Sequence, residues 1–354
     1  TEDVGGYNNA TTFDDATAYY EVVPSNYLET LLWAEAERMG SLNIDQANFV
    51  SERDVVKEEF RFRILSPPYG RLFYAMEKNS FAVHPYKRPG IGSIEELDAS
   101  TIDDVRAFHS TFYRPDNAIL IVSGDFEQQQ LDTWVDRYFT PIAKPEMAIP
   151  RVTAVEPART AEKRVDEYAP NVQLPALAMT WLAPSASDAD AVPLHVAQAI
   201  LGEGESSRLY ERLVRGEIAA EVSVDADLRE QPGMFAAFVI LASEKTPAEA
   251  ERILREELAK LSDKPPTAAE MEKAKNLILT GALRERETSN GKAFALGESL
   301  ILEHDANFVN AGLTKLQAVT PADVQRVVRK YLIEGKPVVI TYLDESQRKS
   351  GGAK

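Results

Sequence analysis

The stretch "TIDDVRAFHSTFYRPDNAILIVSGD" at residues 101–125 has a counterpart in "TPADVQRVVRKYLIEGKPVVITYLDE" at residues 320–345. Each begins with a Thr that is followed three residues later by an Asp, a pattern typical of a capped helix start. Asp-Val stands at the same offset in both, and each stretch then gives a short turn and an apolar strand. A period of about 200 residues is too long for a solenoid, so the repeat predicts the duplication of one α/β domain.

The residues before the first of these stretches carry strand signals and then helix signals. The opening segment, 8–24, has β-branched and aromatic residues around an Asp-Asp turn, which predicts a hairpin. Helices are predicted after Pro24 and from Asp45 to about Arg63. A loop rich in Pro and Gly follows at 84–97, and a strand is predicted at 117–125.

A proline-rich segment divides the chain into two parts. Four prolines in residues 141–160 indicate a stiff, extended linker. We therefore predict one domain at 1–140 and a second, homologous domain at 161–346.

The composition excludes several classes of function. The chain has 354 residues, no cysteine and a net charge of −17. Disulfides and thiolate metal sites are therefore excluded, and binding to a nucleic-acid backbone is disfavoured because it draws on an excess of Lys and Arg. The apolar stretches are too short to span a bilayer. The charge suits attraction of basic segments in a substrate or partner.

The candidate catalytic and metal-binding residues are few. The four histidines are not paired at metal-binding spacing: His84, His109, His195 and His304. Each alone is more typical of a surface or core histidine. A nucleophile elbow, a P-loop and a dinucleotide fingerprint are all absent from the sequence.

Glu52 and Glu59 are two helical turns apart and so lie on almost the same face of the predicted helix. The simpler interpretation is a solvated acidic stripe that pairs with Arg53, Lys57 and Arg61. The alternative is a pair of carboxylates that serves a metal site, and spacing alone does not decide between the two.

The surrounding sequence resembles the insulinase (pitrilysin) family of zinc metallopeptidases, which includes mitochondrial processing peptidases and bacterial periplasmic zinc proteases. Five segments carry the resemblance in order through residues 5–125: "GGYNNATTFDDATAYYEVVP", "LLWAEAERM", "SERDVVKEEFRFR", "HPYKRPGIGSIEEL" and "FYRPDNAILIVSGD". It implies an α+β fold of two similar α/β domains, each a mostly antiparallel sheet with helices packed on one face.

The resemblance also implies a set of site residues. The family binds zinc through H-x-x-E-H and a distal Glu, and the Glu of the motif activates the attacking water. The distal ligand falls on Glu59, Glu52 falls on a residue that supports the site, and an edge that binds substrate backbone falls on Asn9 and Ala10. The motif lies roughly 75 residues before the distal Glu, so we expect the catalytic residues upstream of Thr1 and none in this chain.

A further pair of family residues points to a partner. Active members use an Arg and a Tyr, seven residues apart, to hold the substrate. Leu213 and Ala220 fall at these positions, so the resemblance implies that a second insulinase-family module or subunit supplies the pair.

Three functions are compatible with these residues. The first is half of a zinc-dependent endopeptidase that cleaves peptides or unfolded segments, with this chain itself inactive and zinc present only in a longer protein. The second is a non-catalytic scaffold or partner subunit of such a peptidase, and the third is an unrelated α/β binding protein. Glu52 and Glu59 favour the first, and the resemblance to exported bacterial members implies a periplasmic location.

Overall fold

The computed structural model describes residues 1–348, which form two compact units. They comprise these segments: Thr1–Arg61, Gly90–Thr153 and Arg286–Gly297 in unit 1, and Phe62–Pro89, Ala154–Glu285 and 298–348 in unit 2. The predicted domains at 1–140 and 161–346 remain a prediction, because compactness does not test whether two halves share one ancestor.

Helices account for most of the regular structure. They are α1 (Leu28–Ser41), α2 (Gln46–Phe60), α3 (Gly70–Ser80), α4 (Ile94–Ala99), α5 (Ile102–Phe112), α6 (Gln128–Tyr138), α7 (Ala191–Gly202), α8 (Pro247–Asp263), α9 (Ala268–Glu285), α10 (Ser289–Leu302), α11 (Phe308–Ala318) and α12 (Pro321–Val327). The strands are β1 (Tyr7–Thr12), β2 (Thr17–Val22), β3 (Lys163–Ala169), β4 (Ala176–Leu182), β5 (Ala219–Asp227), β6 (Met234–Leu241) and β7 (Val338–Asp344). The predicted α+β class is confirmed.

The sheet of unit 2 has five strands in the order β3-β7-β4-β6-β5. β7 pairs in parallel with β3, and the other three pairs are antiparallel. β7, the last of these strands in sequence, therefore lies inside the sheet, between β3 and β4, which are the first two in sequence. The sheet is mostly antiparallel, as the resemblance implies.

Helices cover both faces of this sheet. Leu177, Met179 and Trp181 of β4 point into a core formed with α7, α8, α9, α11 and α12. Ala176 and Ala178 point to the opposite face, where α3 packs. The resemblance implies helices on one face of each sheet, and the additional helix, α3, comes from a segment that the prediction assigns to the first domain.

The start of α3 explains why sequence patterns miss it. The helix begins at Gly70, directly after a Pro-Pro-Tyr turn signal that indicates a loop. A Cβ at Gly70 would lie 2.5 Å from the carbonyl oxygen of Ile64, so the close approach of the preceding turn requires glycine.

Unit 1 contains a single two-stranded sheet, the hairpin β1–β2. The predicted strand at 117–125 is not formed: residues 118–123 pair with no strand among residues 1–348. A strand forms only where a neighbouring backbone accepts and donates its hydrogen bonds, and no such neighbour is present here.

The two repeated stretches begin in the same way. Thr101 and Asp104 form a capping box at the start of α5, and Thr320 and Asp323 form one at the start of α12. In each box the Thr side chain accepts the Asp N–H and the Asp side chain accepts the Thr N–H, which satisfies two donors of the first turn. The predicted helix starts are confirmed at both positions.

Candidate functional site

Glu52 and Glu59 both lie on α2, the helix predicted from Asp45. The side chain of Asp45 accepts the N–H of Asn48 at 2.9 Å and so starts the helix. Glu52 is exposed and Glu59 is half-buried. The shared helix is confirmed, whereas the roles of the two carboxylates in a metal site stay predictions.

The basic residues of α2 have contacts of their own. Lys57 donates to Asp98 at 2.6 Å and lies 3.7 Å from Asp54, and Arg61 pairs with Glu58. Arg53 stacks on Phe49. Lys57 therefore pairs with Asp98 and Asp54 and not with Glu52. The solvated-stripe interpretation expects three basic residues to pair with the two glutamates, and Lys57 is not one of them.

The described residues do not assemble a zinc site. Nowhere in residues 1–348 do three or more His, Asp or Glu side chains lie together in a way that could hold a metal ion. The histidines have separate surroundings: His84 starts a 3-10 turn, His109 stacks on Tyr113, His195 lies beside Gln198, and His304 lies near Glu230. Four ligands are the rule for zinc, so Glu59 would require ligands from elsewhere.

Asn9 and Ala10 lie in β1, on the hairpin that the sequence predicts. Phe13 donates its N–H to the Ala16 carbonyl at 2.7 Å, and residues of an antiparallel pair bond across the ladder at every second position. By this alternation Asn9 bonds to β2 and Ala10 faces away from it. The N–H of Ala10 instead donates to Oδ1 of Asn9 at 2.8 Å.

The outer edge of β1 is therefore an accessible backbone edge. β1 is exposed along its whole length and has β2 as its one ladder partner within residues 1–348. An edge of this kind can pair with an extended polypeptide. The side-chain oxygen of Asn9 accepts the Ala10 N–H and so occupies the position that a peptide carbonyl would take. This side chain can rotate away.

The hairpin β5–β6 of unit 2 has a related but blocked edge. The amide of Gln198 on α7 donates to the carbonyl of Val224 at 3.2 Å. A side chain of α7 thus already donates to one backbone carbonyl of β5, that of Val224.

Leu213 and Ala220, the counterparts of the family's Arg and Tyr, lie next to this hairpin. Leu213 is fully buried in a π-helical turn, Tyr210–Val214. Ala220 is exposed at a bulge near the start of β5. Neither side chain offers a polar group, and the need for an Arg and a Tyr from elsewhere stays a prediction.

A polar cluster beside β1 is absent from the sequence predictions. Glu21 of β2 and Glu35 of α1 both lie against Arg38, whose guanidinium stacks on Tyr19 at 4.6 Å. Burial and the neighbouring Glu35 raise the pKa of Glu21 to about 7. The register pairs Glu21 with Asn8, so this carboxyl is part of the strand that supports the open edge. The one signal of this cluster in the sequence is Glu21, a charged residue at an otherwise apolar strand position.

Comparison with known proteins places these features in a family. A protein-family profile described as "Peptidase M16 inactive domain" matches residues 100–278. Zinc protease PqqE of Helicobacter pylori is 30% identical over 335 residues, which cover 92% of this chain and 74% of that protein. A probable mitochondrial-processing peptidase subunit beta of Arabidopsis thaliana is 22% identical and covers 98% of this chain and 66% of its own length.

A solved structure supports the fold. The crystal structure of a protease from Helicobacter pylori superposes with a TM-score of 0.91 at 27% identity, over 96% of this chain and 83% of that one. In the described part of the chain, all helices are too short or too polar to cross a membrane.

Proposed function

Because the chain belongs to the peptidase M16 family, in agreement with its resemblance to insulinase-type peptidases, we propose that it is the peptide-binding half of a zinc endopeptidase. The observation that carries the proposal is the open outer edge of β1 at Asn9 and Ala10. In this proposal an extended peptide adds to that edge as a further antiparallel or parallel strand. Relatives of this chain are named as zinc proteases, and these names support zinc-dependent proteolysis as the reaction class.

Asn9 and Ala10 have distinct roles in this binding. The outward N–H of Ala10 donates to a carbonyl of the peptide, and the side-chain amide of Asn9 turns from its contact with Ala10 toward the peptide backbone. The exchange of one hydrogen bond for another keeps the Ala10 donor satisfied in both states. The net charge of −17 favours peptides that carry basic residues.

Ala10→Pro is expected to reduce peptide affinity about tenfold or more, because it removes the outward donor and introduces a ring at the binding edge. The N–H of Ala10 is not part of the β1–β2 ladder, and proline is tolerated on an edge strand, so the hairpin is expected to persist. The measurement is fluorescence anisotropy with a fluorescein-labelled peptide of alternating Val and Lys.

The matched control is Ala10→Val, which keeps the donor and favours the strand. It is expected to bind the peptide as well as the unchanged chain. Equal affinities for the proline and valine variants, with the hairpin intact by hydrogen exchange, would rule out the edge as the binding site.

Glu59 is proposed as one zinc ligand, with Glu52 orienting the site. The other ligands and the general base come from polypeptide outside these residues, and an Arg/Tyr pair comes from a second module of the same family. The subunit named in the mitochondrial relative supports a partner of this kind. When bound, zinc would activate the attacking water.

The chain by itself is expected to bind zinc weakly and to cleave no peptide, because one carboxylate does not hold the metal. Calorimetric titration of the metal-free chain and a peptidase assay check this. Zinc-dependent proteolysis by the purified 354-residue chain would contradict it.

In an assembly that supplies H-x-x-E-H, the two carboxylates are expected to differ. Glu59→Gln is expected to abolish tight zinc binding, whereas Glu52→Gln is expected to weaken it about tenfold to a hundredfold through ligand orientation. Negligible effects of both substitutions on zinc binding would instead favour the interpretation of Glu52 and Glu59 as part of a solvated acidic stripe.

A second candidate is a non-catalytic subunit that holds or positions peptides for a partner. The match to the inactive-domain profile favours it, and it requires the β1 edge but not Glu59. The Glu59→Gln measurement therefore separates the two functions. A periplasmic location remains a proposal from the resemblance alone.

A further inference from the structure

Two carboxyl groups meet where the β1–β2 hairpin lies against α1. Glu21 comes from β2 and Glu35 from α1, and their side chains are close enough to share a hydrogen bond. The side chain of Glu21 is 13% exposed. Its Oε2 atom is buried, and among residues 1–348 it has no hydrogen-bond partner as long as both carboxyls are ionised. A hydrogen bond between the two requires a proton on one of them, because a carboxylate accepts hydrogen bonds and donates none.

One guanidinium group faces both carboxyls. Arg38 of α1 pairs with Glu35 and lies 3.7 Å from Glu21. The same guanidinium stacks on the ring of Tyr19 at 4.6 Å. Its single positive charge balances one carboxylate, so a second carboxylate at this place is repelled by the first and is poorly solvated. The cluster is therefore balanced when the two carboxyls hold one proton between them.

The other charges near Glu21 do not remove this imbalance. Burial of Glu21 and its contact with Glu35 raise the pKa of Glu21 from 4.5 to about 7. Arg38 and the amino group of Thr1 act in the opposite direction and are too weak to offset this rise in the pKa. The charge of the cluster thus changes close to neutral pH.

The cluster continues through Tyr19 to residues at the end of α5. The hydroxyl of Tyr19 is hydrogen-bonded to that of Tyr113, and the ring of His109 stacks on Tyr113 at 4.8 Å. Histidine is the side chain whose charge ordinarily changes near neutral pH. An experiment on the carboxyl pair must therefore change Glu21 itself, so that an effect of pH can be assigned to it.

We infer that the Glu21–Glu35 pair is a proton-dependent clasp that holds the β1–β2 hairpin on α1 and makes peptide binding at β1 depend on pH. The second part of the inference rests on the proposed function. With one proton, the two carboxyls share a hydrogen bond and hold the hairpin. Without it they repel each other, and the hairpin opens more often. Asn8 of β1 is the register partner of Glu21, so the opening reaches the strand that binds the peptide.

The direction of the pH dependence follows from the proton on Glu21. Its pKa is about 7 in the held hairpin and returns to its ordinary value of 4.5 when the hairpin opens into water. The held hairpin therefore binds more protons than the open one between these two values. The contribution of the clasp is fully present below pH 4.5, is lost as the pH rises to about 7, and stays lost above it.

Hydrogen exchange of the full chain tests the clasp. The amides of β1 and β2 are followed in acid and in weakly alkaline solution, at about pH 5.5 and about pH 8, and each rate is divided by that of an unstructured chain at the same pH. The protection of the hairpin is expected to be about tenfold or more higher at the lower pH.

Glu21→Gln is expected to keep the clasp closed at both pH values, because the amide donates to Glu35 as a protonated carboxyl does and has no proton to lose. Glu37→Gln, on the exposed side of α1, is the matched control and is expected to retain the pH dependence. Hairpin protection that is the same at both pH values in the unchanged chain would overturn the clasp. A pH dependence that persists in Glu21→Gln would overturn it as well.

Fluorescence anisotropy with the labelled Val-Lys peptide separates the clasp from the proposed function. The unchanged chain is expected to bind the peptide at least about twofold more weakly at the higher pH, because fewer hairpins are held, and Glu21→Gln is expected to abolish this difference. A chain that shows the clasp by exchange but binds no peptide at either pH would contradict the proposed function and leave the clasp standing. Equal affinities at both pH values, with pH-dependent exchange, would overturn the control of binding by the clasp.

Discussion

Leu72→Ala is expected to lower the free energy of unfolding of unit 2 by about 2–5 kcal/mol, the cost of a cavity in a packed core. Leu72 has no exposed surface and packs, through α3, on the sheet face that carries Ala176, Ala178 and Ile340. The loss of its side chain leaves α3 without its central apolar contact. Urea unfolding, followed by the fluorescence of the buried Trp181, measures the change.

Hydrogen exchange locates the effect of this substitution. The amides of β4 and β7 are expected to lose protection, whereas those of β1 and β2 are expected to keep theirs, because α3 belongs to unit 2. Lys78→Ala on the exposed side of the same helix is the control and is expected to change stability by less than about 0.5 kcal/mol. Loss of protection in the hairpin alone would instead assign α3 to the first part of the chain.

Asp190→Ala is expected to destabilise unit 2 by about 1–3 kcal/mol, because it removes a buried acceptor of three hydrogen bonds while water can still solvate the half-exposed Arg326 and Lys330. Asp190 is 4% exposed and precedes α7. It accepts hydrogen bonds from Arg326 at 2.5 Å, Lys330 at 2.8 Å and Tyr331 at 2.9 Å. The carboxylate thereby joins the start of one helix to the end of another. Urea unfolding measures the loss.

The pH dependence of this effect has a definite sign. Burial alone would raise the pKa of Asp190, but the hydrogen bonds from Lys330, Arg326 and Tyr331 hold it below its ordinary value of 3.8. Its contribution to stability is therefore present above pH 3.8 and is lost as the pH falls through the lower folded-state pKa.

The conservative variant Asp190→Asn keeps an acceptor and is the matched control. It is expected to cost less than Asp190→Ala at neutral pH, and its difference from the unchanged chain is expected to shrink in acid. A difference that stays constant from neutral pH to below the folded-state pKa would show that packing, and not the charge, explains the effect.

Local signals in the sequence predict helix starts and hairpins well. Thr101 and Thr320 mark the beginnings of α5 and α12 through their own side chains, and the Asp-Asp turn marks the β1–β2 hairpin. These features depend on residues a few positions apart. The position of a capping box or of a hairpin turn can therefore be predicted without knowledge of residues distant in the sequence.

Long-range partners decide the features that the sequence mispredicts. The burial of α3 depends on a sheet made by residues 176–342 that covers its apolar side. The apolar residues themselves, Leu72, Ala75 and Met76, recur at helical spacing. Residues 118–123 have the same strand composition as β7 but lack its neighbours, so equal composition gives unequal structure. Propensity becomes structure only where a partner satisfies the backbone.

The candidate site divides in the same way. Asn9, Ala10, Glu52 and Glu59 could be named from motifs that the chain shares with a family. The contact of Glu21 with Glu35 and Arg38 could not, since it joins a strand to a helix and depends on how the hairpin packs. The raised pKa of Glu21 is a property of that packing and has no counterpart in the local sequence.

The place of β7 inside its sheet bears on how the chain is made. Lys163 pairs with Val338, so β3 gains its ladder partner only after almost the whole described chain has left the ribosome. Until then β4 has one open side, and a slot one strand wide separates the two. Contacts of such long sequence separation form slowly and expose strand edges to other chains. A nascent chain of this protein is therefore expected to expose both edges of the slot until β7 has been synthesised.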